Sequence, residues 1–183
     1  MNITVFLGAS YGNNVSYANA TRELGTWIGK NGHTLIYGGS KTGLMGVVAQ
    51  STLNAGGKAI GIETQFFVDA EVQFEGLTQL IVTPDMATRR KKLIRMGQAY
   101  VIMPGGMGTL EEFAECLSRK ALDHLTAPCI FFSLNGYYDD LGKFLRNTVD
   151  ECFCTKDKLN NVHFVRNMDE AAEILTKYAK EIA

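Results

Sequence analysis

Net charge is almost absent from this sequence: eighteen basic side chains stand against nineteen acidic ones over 183 residues, a formal balance of −1. Without a global positive field, polyanionic nucleic acid is not held by counterion release, and any anion site has to be local. Long apolar runs are missing too. Cys129-Ile130-Phe131-Phe132 falls far short of the roughly 20 residues a membrane span needs, and Met1-Asn2-Ile3-Thr4 has no charged signal-peptide start, so a cytoplasmic protein is expected. Four cysteines are too few for a disulfide scaffold, and Cys116 and Cys129 sit in apolar company where reduced thiols pack as small hydrophobes. His33, His124 and His163 are scattered singly and Cys152-x-Cys154 has no second pair nearby, so no metal site is expected. Proline is scarce at three, whereas glycine reaches nineteen. Glycine clusters mark places where backbone turns tightly or approaches a ligand.

The remainder reads as one alternating domain over residues 1–183. Ile3 to Leu7 is a short apolar run ending at Gly8-Ala9-Ser10, and Tyr17, Ala20, Leu24, Trp27 and Ile28 then recur at helical spacing. The unit repeats: His33 to Tyr37 stops at Gly38-Gly39-Ser40, and Leu44, Val47, Val48, Ser51 and Leu53 follow as a helix. Strands are expected at Lys58–Ile62, Leu80–Val82, Tyr100–Met103, Cys129–Phe132 and Val162–Val165. Thr83-Pro84 reads as N-cap and first position of a helix through Met96, and residues 63 to 78 have no clean period. Helices are also expected after Thr109, over Tyr138–Val149 and from Met168 to the end. Short, continuously apolar strands alternating with helices predict a doubly wound, mostly parallel Rossmann-like α/β sheet with helices on both faces. The three glycine loops all follow strands, so they should meet in one crevice at the strands' carboxyl ends.

Known nucleotide motifs do not fit those loops. Gly29-Lys30, Gly57-Lys58 and Gly142-Lys143 all lack the Ser or Thr of a P-loop, and Gly106-Met107-Gly108 is followed by Glu111 where a dinucleotide fingerprint needs glycine. What stands after the fifth strand is Pro104, three glycines in four positions and Thr109, opening a helix whose unpaired amides suit a phosphate; a packing turn is the bland alternative. Glu111 and Glu112 are expected in that helix's first turn, where they either cap it or serve chemistry that builds positive charge on a substrate. Arg89, Arg90, Lys91, Lys92 and Arg95 make either a solvated face or an anion patch, with Arg89 and Arg90 nearest the crevice.

Pro104-Gly105-Gly106-Met107-Gly108-Thr109-Leu110-Glu111-Glu112 resembles the PGGxGTxxE signature of the "lonely guy" family, phosphoribohydrolases that release cytokinin bases from their riboside monophosphates. Val5 to Ser10, Tyr37-Gly38-Gly39, Gly43 to Gly46 and Met86-Ala87-Thr88-Arg89-Arg90 extend the resemblance over most of the chain. It implies that Arg89 and Glu112 are catalytic, that Glu71 binds substrate, and that Gly105, Gly106, Met107, Gly108, Thr109, Leu110 and Glu111 bind phosphate and ribose. Arg90 and Ser118 complete the implied substrate set, standing where the family usually has lysine and threonine. Ala121 replaces a frequent glutamine, and Glu63-Thr64 replaces the usual Ile-Pro after the third strand.

The resulting expectation is a cofactor-independent hydrolase that cleaves the N-glycosidic bond of an adenosine-type nucleoside 5′-monophosphate, AMP or a cytokinin riboside 5′-monophosphate. The rival is a non-catalytic nucleotide or molybdenum-cofactor carrier. A homodimer is expected from the apolar residues Phe113, Cys116 and Leu117 on the signature helix. Lysine decarboxylation, a label long attached to the family, normally needs a lysine-bound pyridoxal cofactor, and no constellation in the sequence supports one.

Overall fold

The computed structural model describes residues 1–70 and 72–182. Seven strands, β1 (Asn2–Phe6), β2 (Thr34–Tyr37), β3 (Lys58–Thr64), β4 (Gln79–Thr83), β5 (Ala99–Ile102), β6 (Cys129–Phe132) and β7 (Val162–Val165), form one sheet in the order β4-β3-β2-β1-β5-β6-β7. Every neighbouring pair is parallel. Six α-helices connect them and a seventh follows β7: α1 (Val15–Lys30), α2 (Gly43–Asn54), the short α3 (Gln65–Asp69), α4 (Met86–Met96), α5 (Met107–Ala121), α6 (Asp139–Asp150) and then α7 (Met168–Glu181).

Period-two alternation divides the buried strand residues between two cores. Ile3, Val5, Leu35, Tyr37, Val101, Ile130 and Phe132 pack under Leu24 and Ile28 of α1, Val48 of α2 and Leu175 of α7. Phe6, Ile36, Tyr100, Ile102, Cys129 and Phe131 pack on the other face against Leu93 and Ile94 of α4 and Phe113 and Cys116 of α5. Both faces are covered, so the strands are apolar on both sides and short. At roughly 25 cal/mol per Å² each large strand side chain contributes about 2 kcal/mol of burial, before the entropy of ordering it. The chain leaves β1 toward β2 on one side and returns to β5 on the other, and the crevice opens at that reversal.

Four local expectations need correction. β3 runs on through Glu63 and Thr64, which pair with Val82 and Thr83 of β4, so two residues assigned to an aperiodic stretch belong to the sheet. Thr83 ends β4 and donates its hydroxyl to Glu63 O; the N-cap of α4 is Asp85, whose carboxylate accepts from Thr88 N at 2.7 Å. Glu111 and Glu112 lie in the second turn of α5, which begins at Met107 with Gly106 as N-cap, so neither caps its first turn. Phe113 and Cys116 are buried under their own sheet and offer nothing to a partner.

Candidate active site

Helical periodicity decides which of the basic residues on α4 points inward. Arg89, Leu93 and Met96 follow at i, i+4 and i+7 on the stripe that faces the sheet, whereas Lys91, Lys92 and Arg95 fall outside it. Arg89 is therefore only 7% exposed, one turn ahead of fully buried Leu93. Two of its guanidinium nitrogens are held by backbone at the strand ends: Nε donates to Ile62 O at 2.8 Å and Nη2 to Gly38 O at 2.9 Å. Gly38 is required for this approach, because a Cβ there would collide with Arg89 Nη2.

Two carboxylates share that guanidinium. Glu63 at the end of β3 is 2% exposed; its Oε1 lies 3.3 Å from Arg89 Nε and accepts from Thr64 N at 3.1 Å. Glu112 on α5 approaches from the other side, with Oε1 3.8 Å from Arg89 Nη1, too long for a direct hydrogen bond. Burial pushes the Glu112 carboxyl up to about 7; Arg89 opposes the rise, Glu111 adds to it, Arg90 opposes it, and Glu63 adds a little more. Burial also raises the Glu63 carboxyl, against the Arg89 charge and the Thr64 amide. A carboxylate poised near neutrality beside a fixed cation can hold a developing positive charge or take a proton from water.

The cavity, about 530 Å³ in all, is otherwise built largely from the three glycine loops. Gly8, Ala9 and Ser10 follow β1, Gly38 and Ser40 follow β2, and Gly106, Gly108 and Thr109 open α5; Phe67, Val72, Met45 and Met86 supply apolar walls. Gly8 N donates to Pro104 O at 3.1 Å, tying the first loop to the signature loop. At the start of α5 no side chain caps the helix, and Leu110 N is the first amide to find an intrahelical carbonyl, Gly106 O. The amides of Met107, Gly108 and Thr109 thus precede the helical ladder, at the positive end of the helix dipole. Buried Thr109 sits against Gly105, where any Cβ would strike its hydroxyl. Tyr137 donates its hydroxyl to Gly105 O at 2.6 Å and Tyr138 to Met103 O at 2.9 Å, so the loop is pinned from the start of α6.

Of the residues expected at the site, Arg89, Gly106, Gly108, Thr109 and Glu112 line the cavity. Gly105 lines a smaller depression beside it with Gly8 and Tyr137. Met107 is 80% exposed and Leu110 and Ser118 are also exposed, none of them lining the cavity. Arg90 turns away to pair with Glu111 at 2.9 Å and Glu115 at 3.3 Å, which takes Glu111 off the site as well. Glu71 lies outside the described residues. Sequence reasoning missed Tyr137, Tyr138 and above all Glu63, whose only signal was a departure from a family pattern.

A family model described as "Possible lysine decarboxylase" matches residues 45–175. Among curated proteins, the cytokinin riboside 5′-monophosphate phosphoribohydrolase of Rhodococcoides fascians is 33% identical over 170 residues, 92% of this chain and 86% of the relative. A protein of the same name from Arabidopsis thaliana is 33% identical over 175 residues, 96% of this chain and 81% of the relative. Among solved structures, a Moco carrier protein from Chlamydomonas reinhardtii superposes with a TM-score of 0.76 at 20% identity, covering 98% of each chain. A molybdenum cofactor binding protein from Rippkaea orientalis gives 0.74 at 21%, covering 96% of this chain and 95% of its own; at such identity these two establish the fold alone. The chain belongs to the family described as possible lysine decarboxylases, whose curated members include these cytokinin riboside 5′-monophosphate phosphoribohydrolases.

Proposed function

We propose that the protein hydrolyses the N-glycosidic bond of an adenosine-type nucleoside 5′-monophosphate, AMP or a cytokinin riboside 5′-monophosphate, giving free base and ribose 5-phosphate. The observation that carries this reading is the placement of Glu112 and Arg89 in one cavity with the open amides of α5. The 5′-phosphate would sit on the amides of Met107, Gly108 and Thr109, as anions do at helix starts. Glu112 would then flank the anomeric carbon. As the C1′–N bond breaks, its electron pair leaves with the base and positive charge spreads over the ribose ring; the Glu112 carboxylate stabilises that charge and takes a proton from the attacking water. The OH of that water goes to C1′, and the proton ends on the departing base. Arg89 Nη1 is the corner of the guanidinium left without a hydrogen bond by the strand ends. Arginine does not give up its proton, so its contribution is a charged donor to the departing base or to the phosphate.

In this reading the hydrolase works without cofactor, as a homodimer, in the cytoplasm. The family's decarboxylase description finds no support in the cavity, whose described lining contains no lysine to hold pyridoxal. A carrier of a nucleotide-like cofactor is the second reading, favoured by the likeness of fold to the Moco proteins and weakened by a buried carboxylate pushed up to about 7, which a phosphate carrier has no use for. Incubation with a panel of nucleoside 5′-monophosphates, followed by chromatography, separates the two. Release of base with equimolar ribose 5-phosphate is expected; tight binding without release would support the carrier.

A further inference from the structure

A cation and a carboxylate facing each other in a cavity normally close into a short bidentate pair, which would neutralise both. In this cavity they do not: Arg89 Nη1 and Glu112 Oε1 remain 3.8 Å apart. The cause lies on the far side of the guanidinium. Nε is taken by Ile62 O and faces Glu63 Oε1, and Nη2 is taken by Gly38 O, so the plane of the fork is fixed against the ends of β2 and β3. Glu63 itself has no freedom to move, since it is held in the β3–β4 ladder and by the Thr64 amide. Its burial at 2% exposure is tolerable only with a compensating charge, and Arg89 supplies it. One positive charge is thus divided between two carboxylates, and the group of three carries a formal charge of −1.

Resting on the hydrolase reading above, we propose that Glu63 is a positioning residue of the reaction: it holds Arg89 against the strand ends, away from a closed pair with Glu112, and so leaves the negative charge of Glu112 for the ribose. Without Glu63's charge the pull of the guanidinium would fall on the one carboxylate remaining, Glu112. Glu112 would then be a weaker base and a poorer partner for a cationic ring, although substrate phosphate would meet one negative charge fewer. Among the described residues, the charged and titratable groups around Glu112 are Arg89 and Arg90 from α4, Glu111 and Cys116 on α5, and Glu63 from β3; Glu63 in turn lies near the buried Tyr37 hydroxyl of β2. Of these, only Glu63 and Glu112 oppose each other across a shared partner.

Glu63→Gln keeps the side chain's shape and an acceptor for Thr64 N while removing the charge, and Glu63→Asp keeps the charge. The test is a carboxyl ¹³C NMR titration of Glu112 in wild type and both variants, with kcat and KM for AMP measured alongside. In Glu63→Gln the Glu112 midpoint should fall by about half a unit or more, kcat should fall about tenfold, and KM should stay level or drop. Glu63→Asp should retain a midpoint near the wild-type value. A Glu112 midpoint and a kcat that do not change in Glu63→Gln would overturn the proposal and leave Glu63 a structural anchor. Should wild type release no base while the midpoint still shifts, the hydrolase reading fails and the hold of Glu63 on Arg89 stands. If Glu63→Gln does not fold, the wild-type Arg89 Nε resonance decides: it should follow the Glu63 titration, and a resonance following Glu112 alone would contradict the proposal.

Discussion

Glu112 sits in the cavity at a cost to the fold, and the sign of that cost can be worked out. An exposed glutamate titrates near 4.3, whereas burial pushes this one up to about 7. A carboxyl whose folded value is raised stabilises the protein when protonated, below the unfolded value, and that stability is lost as pH climbs from about 4.3 through about 7. Glu112→Gln should therefore melt higher than wild type at pH 8, by about 1 to 3 kcal/mol, while remaining level with it at pH 4.5; scanning calorimetry at the two values checks this. The kinetic consequence has the opposite sense, because in the proposed reaction the ionised form does the work. In wild type kcat/KM for AMP should rise with pH through about 7, a limb distinct from titration of the substrate phosphate near 6. Arg90 provides a contrast one residue from Arg89. Since it pairs with Glu111 and Glu115 at the surface, Arg90→Ala should cost under about 1 kcal/mol in stability and change KM for AMP only a few-fold, as urea titration and steady-state kinetics would report.

At the scale of elements, the start of α5 is expected to make the 5′-phosphate essential. Several amide donors at a helix start are satisfied by a phosphate and face only water when a nucleoside binds, so kcat/KM for adenosine should lie at least about 10²-fold below that for AMP. Gly105→Ala should lose AMP turnover with the sheet intact, because the added methyl strikes Thr109 and shifts the loop that aims those amides. The same elements show where sequence reasoning reaches and where it stops. All seven strands were legible because each is a short apolar run between turn residues, and the parallel sheet followed from their alternation with helices. The C-terminal end of β3 and the N-cap of α4 were not, since Glu63, Thr64 and Thr83 are polar and are drawn into the ladder by pairing with one another's strands. Arg89 was legible as a candidate only together with Arg90, through the Met86–Arg90 resemblance and their shared place near the start of the helix; which of the two points inward is decided by the packing of α4 on the sheet. Glu63 had no signal beyond its departure from the family pattern. Its role depends on a helix 26 residues downstream crossing the strand end.

For the whole molecule, the ground for a homodimer shifts from the inner face of α5 to the surface around the cavity. Phe66, Val82, Met86, Met107 and Leu110 are exposed large hydrophobics on α3, β4, α4 and α5, elements that border the site, and β4 is an uncovered edge of the sheet. Light scattering at micromolar concentration should give about twice the 20.1 kDa of one chain, and a strict monomer would contradict the expectation. The fold delivers to the cavity the open amides and the Glu112 carboxylate of α5 and the Arg89 cation of α4. The central claim is that these act together as a hydrolase with Glu112 at its centre. Its most direct test is single-turnover release of adenine from AMP by wild type and Glu112→Gln, with AMP affinity measured on both. The account predicts release by wild type and a loss of about 10² to 10³ in the variant at nearly unchanged affinity. A folded Glu112→Gln that releases adenine within a few-fold of wild type would contradict it.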